Sequence, residues 1–166
     1  MRPGNRGAFP LSAGHLAHRW HPPVRLPRAW TSGDTADVDF GVLRPDDLEF
    51  EQRPYRPQDP VRSAAVLSDT LGLTESRASL WRYPAGSRGR RHRELAQEEV
   101  FVVLDGAVTM MLGEPPQREE LPARSIVRVA PGTPLQIHND SGGEATLLIW
   151  GAPPERGKAG ILDDLE

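Results

Sequence analysis

The 166-residue chain is long enough for one domain with a real hydrophobic core and little more. It has no cysteine, which excludes disulfides, thiolate metal sites and cysteine nucleophiles. Its formal net charge of −3 argues against a dedicated nucleic-acid binder, and no apolar stretch approaches the ~20 residues that cross a bilayer.

The charge is unevenly placed. Residues 1–33 hold five arginines and no acidic residue, so all 23 acidic residues face only 15 basic ones in the remainder. Five prolines between Pro3 and Pro27 interrupt any helix in this head, and no hydrophobic period is sustained there. Residues 1–41 are therefore expected to be a disordered extension. The segment is Arg-rich and acid-free like an organellar transit peptide, but its prolines break the amphipathic helix such peptides use. The tract HLAHRWH (15–21) spaces three histidines for one helix face, yet Pro22 and Pro23 follow directly and no functional site is expected there. A translation start near Val38 or Val42 would remove the head altogether, which the intact mass of the native protein checks.

Residues 42–64 read as an arm or edge strand. From about residue 48 the texture is β, and the 16 glycines and 17 prolines favour turns over long helices. Residues 67–75 (LSDTLGLTE) hold a helical turn or a loop. Strands are expected at 76–83, 98–104, 107–112, 125–130, 134–139 and 144–150. Asp105-Gly106 between the second and third of these is a hairpin signal. Short strands with turn signals every 8–12 residues or so argue for an all-β sandwich or barrel. Residues 153–166 read as a surface tail that could instead dock through Ile161 and Leu162.

Chemistry concentrates in GSRGRRHRELAQEEVFVVLDG (86–106). On a strand, residues i and i+2 share a face, so His92 and Glu94 project together, and Glu99 follows on the next stretch. Imidazole with carboxylates suits Zn, Fe, Mn or Ni. Two buried carboxylates without a cation or proton are strongly disfavoured, so a metal, an arginine or a raised pKa must accompany them if both face inward. Glu98 is expected to point outward. The basic run 87–93 reads as a solvated loop, with capture of an anionic ligand at a pocket mouth as the other reading. Trp81, Tyr83, Phe101 and Trp150 read as core or rim aromatics. No P-loop, G-x-S-x-G, H-E-x-x-H or dinucleotide fingerprint is present.

The same stretch resembles the first motif of the cupins, G-x5-H-x-H-x3-4-E-x6-G. Gly86, His92, Glu99 and Gly106 fall in register, with Glu94 in the second His place. The second motif, G-x5-P-x-G-x2-H-x3-N, aligns with LPARSIVRVAPGTPLQIHN through Gly132 and Asn139. Here Ala130 stands in the Pro place, Leu135 in the His place, and Arg124-Ser125 where many cupins have Gly-Asp. The resemblance covers about residues 65–152 and implies a double-stranded β-helix, or jelly roll, with an internal pocket. Typical cupins hold a divalent metal on three His and one Glu. Of that set His92 and Glu99 match, Glu94 is a competent oxygen donor, and Leu135 cannot ligate. His138 lies three residues beyond Leu135, so strict alternation turns it the other way and makes it a surface histidine, unless a bulge brings it in as a ligand.

The expected protein is thus a small cytoplasmic cupin, a homodimer through its sheet edges, with a pocket for a small-molecule ligand lined by Leu135, Phe101, Met110 and Ile137. Its metal site, on His92, Glu94 and Glu99, is degenerate. Three roles follow: a binding barrel without metal, a metal-dependent oxygenase or isomerase, and metal-free isomerase or epimerase chemistry with His92 as base. The last needs an acid facing the base, and Tyr55 and Tyr83 are the only tyrosines.

Overall fold

A computed structural model describes residues 40–154 and 159–165. The head and its HLAHRWH tract lie outside the described residues. After a single 3-10 turn at Pro45–Asp47, the chain runs β1 (Glu51–Arg53), β2 (Arg62–Val66), α1 (Leu67–Leu71), β3 (Arg77–Tyr83), β4 (His92–Arg93), β5 (Glu98–Asp105) and β6 (Ala107–Leu112). It continues through β7 (Gln117–Pro122), β8 (Ile126–Val129), β9 (Leu135–His138), β10 (Ala145–Ala152) and β11 (Gly160–Ile161). The fold is all-β. No helix among the described residues is long and apolar enough to cross a membrane.

The strands form two antiparallel sheets, one ordered β1-β2-β3-β10-β5-β8 and one ordered β11-β4-β9-β6-β7. From β3 to β6, and again from β7 to β11, successive strands pass between the sheets, which is the jelly-roll arrangement. This corrects the hairpin read at Asp105-Gly106. β5 pairs with β10 and β8, β6 pairs with β7 and β9, and Gly106 is the corner between sheets. Gly106 has φ +71°, and a Cβ there would sit 2.6 Å from the Glu144 carbonyl oxygen. Only glycine turns the chain so sharply against a neighbouring backbone.

All six strands expected from the sequence are present, and 67–71 is helical. That helix ends on Gly72 in the left-handed conformation, whose N–H donates to the Ser68 carbonyl. The Ser68 hydroxyl donates to the Ala78 carbonyl and accepts from the Ala78 N–H, pinning α1 to β3.

The core lies between the sheets. Alternation points Phe101 and Val103 of β5, Leu147 of β10, and Leu135 and Ile137 of β9 inward, each 3% exposed or less. Each such side chain contributes about 1.5–3 kcal/mol by leaving water. The outer face of the larger sheet stays apolar too. Register sets Trp150 beside Val100, and Val102 between Leu148 and Ile126, with Ile126 70% exposed.

Candidate metal and ligand site

Residues 86–93 run alongside β9. The Gly86 N–H donates to the Asn139 carbonyl at 2.8 Å, Asn139 N–H to Ser87 at 2.9 Å and Gly89 N–H to Ile137 at 2.7 Å. Register then sets His92 directly across from Leu135. Asn139 is wholly buried and ties this end together: its amide donates to the Tyr83 and Gly143 carbonyls, and its oxygen accepts from Ser141. The Gly132 N–H, at φ +79°, donates to the Glu94 carbonyl at 2.6 Å. These bonds bring the two ends of the site together.

His92, Glu94 and Glu99 each offer one donor atom, and the three lie within 4.8 Å of one another. The ring Nδ1 of His92 is 2.9 Å from the Arg90 carbonyl. A carbonyl only accepts, so Nδ1 carries a proton, and in the neutral ring the lone pair lies on Nε2. Nε2 faces Glu99 Oε2 at 3.9 Å. A carbonyl on the far ring nitrogen is the usual second partner of a metal-bound histidine. Glu94 and Glu99 are each 8% exposed, and Oε2 of each has no hydrogen-bond partner. Leaving two buried carboxylate oxygens unpaired is costly, and a cation or a proton resolves it. Burial raises the Glu99 pKa, with the Glu94 charge adding and Arg77 opposing, to about 7. Bonds of about 2.0–2.2 Å to a shared ion span donors up to about 4 Å apart, so the widest pair needs to close by less than about 1 Å. The donor set therefore fits a divalent ion.

These three residues line a cavity of about 210 Å³. Of the four residues expected to line a pocket, Phe101, Leu135 and Ile137 do so. Met110 does not: it is fully buried in the core, beside Ile137 on β6. The rest of the wall goes beyond those four, and of it the sequence marks Trp81 and Tyr83 as core or rim aromatics and Arg90 as part of a basic run with anion capture as its second reading. Arg62 comes from β2, Arg77, Ser79, Trp81 and Tyr83 from β3, and Arg90 from the basic run. They share the inner face by register, with Ala64 across from Trp81. Period-2 spacing in RASLWRY was the available signal for Arg77, Ser79, Trp81 and Tyr83. Nothing local marked Arg62.

His138 is not among the cavity-lining residues. It follows Gln136 on the opposite face of β9, as alternation requires, but at 9% exposure it is not a surface histidine. Gln136 is wholly buried and donates to Asp164, so the tail closes over this face. Burial, with Arg88 next, lowers the His138 pKa and keeps the ring neutral. The basic run is not a uniformly solvated loop either. Arg91 is 9% exposed, pairs with Glu114 and donates to the Asp163 carbonyl, whereas Arg93 is exposed. Glu98 points outward onto Arg128. The tail docks by pairing β11 with β4 and by Asp164, which Tyr55 and Arg56 both engage, while Ile161 stays 56% exposed.

Residues 79–151 match the family model described as the Cupin domain. No curated protein sequence matches the chain. Solved structures share the fold at low identity. A sugar phosphate isomerase of the cupin superfamily from Silicibacter pomeroyi aligns with a TM-score of 0.63 at 22% identity, over 75% of this chain and 83% of its own. The polyketide cyclase RemF from Streptomyces resistomycificus aligns at 0.64 and 17%, over 77% and 89%. A cupin protein from Bacteroides fragilis aligns at 0.51 and 24%, over 68% and 97%. At these identities the structural likeness carries the fold and not the activity. With both motifs, the matched segment and the jelly roll in agreement, residues 79–151 of the chain are a cupin domain.

Proposed function

We propose that this protein is a metal-dependent enzyme of the oxygenase or isomerase type, acting on a small molecule inside the barrel. His92, Glu94 and Glu99 are the protein ligands of one divalent ion. The observation that carries this reading is the convergence of two buried, unpartnered carboxylate oxygens on an imidazole Nε2 freed by its Nδ1 bond. One nitrogen with carboxylate oxygens suits Fe or Mn best, with Zn and Ni also competent. When bound, such an ion polarises a substrate oxygen or supports oxygen chemistry.

The chain's own residues would divide the remaining work. Phe101, Leu135 and Ile137 form a dry wall. Tyr83 is 3% exposed, and burial raises its pKa, so its hydroxyl stays protonated at neutral pH and serves as a hydrogen-bond donor to a ligand. Trp81 offers an aromatic face to a ligand.

Metal content by mass spectrometry, on the untagged full-length protein and its His92→Ala variant, tests the reading. Near-stoichiometric metal that vanishes in the variant supports it, and equal metal in both, or none in either, overturns it. A second reading, a metal-free binding barrel, draws on two observations. Leu135 supplies no fourth donor, and a Glu99 pKa of about 7 lets a proton neutralise the carboxylate pair.

A further inference from the structure

Arg62 opens β2 and is 8% exposed. It shares the inner face with Ala64 and lines the cavity that holds His92, Glu94 and Glu99. A guanidinium carries five N–H donors and no acceptor. Among the described residues its one hydrogen bond is donated by Nη1 to the Tyr83 hydroxyl, at 3.3 Å. No carboxylate pairs with it among those residues. Its other close neighbours are aromatic faces: Trp81 at 5.2 Å, Tyr83 at 5.3 Å and Tyr55 at 5.8 Å. Buried arginines are ordinarily paired, and rings alone leave most of the donors unused.

The charge of the cavity points the same way. Arg62, Arg77 and Arg90 line it against Glu94 and Glu99. A divalent ion on the two carboxylates cancels their charge and leaves the Arg62 guanidinium facing the same space. A cavity of about 210 Å³ has the volume of about seven waters, room for a ligand on the order of ten non-hydrogen atoms.

We propose that Arg62 is the anion-binding residue of this pocket: it takes the carboxylate or phosphate end of a small organic anion whose other end lies against His92, Glu94 and Glu99. The proposal rests on the metal reading above for its second end, and it makes metal and anion binding mutually reinforcing, because each supplies the charge the other lacks. Arginine suits the role because its planar fork meets either oxyanion with two parallel bonds.

Calorimetry on the full chain tests this, with Mn2+ as the ion, lactate and methyl phosphate as the carboxylate and phosphate probes, and glycerol as the neutral control. The expected result is binding of at least one anion to the Mn2+-loaded protein, with none for glycerol. Arg62→Gln should weaken that binding at least tenfold without weakening Mn2+ binding, and Arg62→Lys should recover part of it. If the wild type binds no Mn2+, the metal reading fails by itself. The anion titrations on the metal-free protein then decide the role of Arg62 by the same tenfold criterion. Absence of anion binding in both states, or equal binding by Arg62→Gln, overturns the proposal. Should Arg62→Gln not fold, the Arg62 Nε–Hε resonance of the wild type replaces it: a shift on adding anion supports the assignment, and an unmoved signal rejects it.

Discussion

His92 and Leu135 face each other across the β4–β9 pair, and both line the cavity. The residue opposite the proposed nitrogen ligand is thus a buried hydrocarbon, 2% exposed, where a fourth donor would reach the same ion. Leu135→His should place a second imidazole there and tighten Mn2+ or Zn2+ binding at least tenfold, read by calorimetry. The metal-free variant should be less stable than the wild type, since the new ring is buried with its polar atoms unmet. Unchanged or weaker metal binding in a folded variant would mean that the three donors do not share an ion.

Glu99 ties the site to stability through pH. Its carboxyl titrates near 4.5 in the unfolded chain and at about 7 in the metal-free fold. The folded state holds that proton more tightly, so stability falls as pH rises from about 4.5 to about 7 and stays lower above. The full effect is at most about 3 kcal/mol. Glu99→Gln should remove this slope, leaving the metal-free protein more stable than wild type in urea at pH 8 and similar at pH 4.5. The same variant should lose metal binding. A site residue whose removal stabilises the empty protein is serving function rather than folding.

How much of this was legible depends on the range of the interaction. The alternation in EEVFVVL and the i, i+2 relation of His92 and Glu94 are local, and strands report them directly. Asp105-Gly106 is equally local but ambiguous, because a left-handed glycine serves a hairpin and a corner between sheets alike. Only the partners of β5 and β6 distinguish the two. β7 escaped notice because QREELP is an edge strand with charged, exposed positions, the composition that keeps edges from pairing with other chains. Arg62 was illegible for a third reason: its burial follows from the register of β2 on β3 and from rings at Tyr55, Trp81 and Tyr83, none of which a local pattern reveals.

The tail offers a test at acid pH. Burial pushes the Asp164 carboxyl up, but the Tyr55 hydroxyl and the Arg56 guanidinium outweigh it and hold the pKa below the ordinary range. Its contribution is therefore complete above the unfolded pKa and is lost as pH falls through the lower, folded value. Asp164→Asn should free the tail at neutral pH, seen as faster amide exchange at Ile161 and Leu162. It should also flatten the acid limb of the stability curve relative to wild type. An unaltered exchange rate would mean that β11 holds the tail without the clamp.

Two residues in the left-handed region make opposite predictions from one principle. Gly106 is at φ +71°, and the Cβ of an alanine would meet the Glu144 carbonyl oxygen at 2.6 Å and the Ala145 Cα at 2.9 Å, both backbone atoms that cannot swing aside. Gly106→Ala should cost about 3 kcal/mol or more, since steric overlap at the corner adds to the conformational penalty. Arg124 is at φ +74°, the one non-glycine residue in this region among those described. Its N–H donates to the Val103 carbonyl, so the turn holds it there despite its side chain. Arg124→Gly keeps that bond and relieves a penalty of roughly 1–2 kcal/mol, less up to about 1 kcal/mol for the greater freedom of glycine in the unfolded chain. A gain in urea midpoint is the expected sign, opposite to that at Gly106, and a loss would show that the Arg124 side chain makes a contact worth more than the strain it carries.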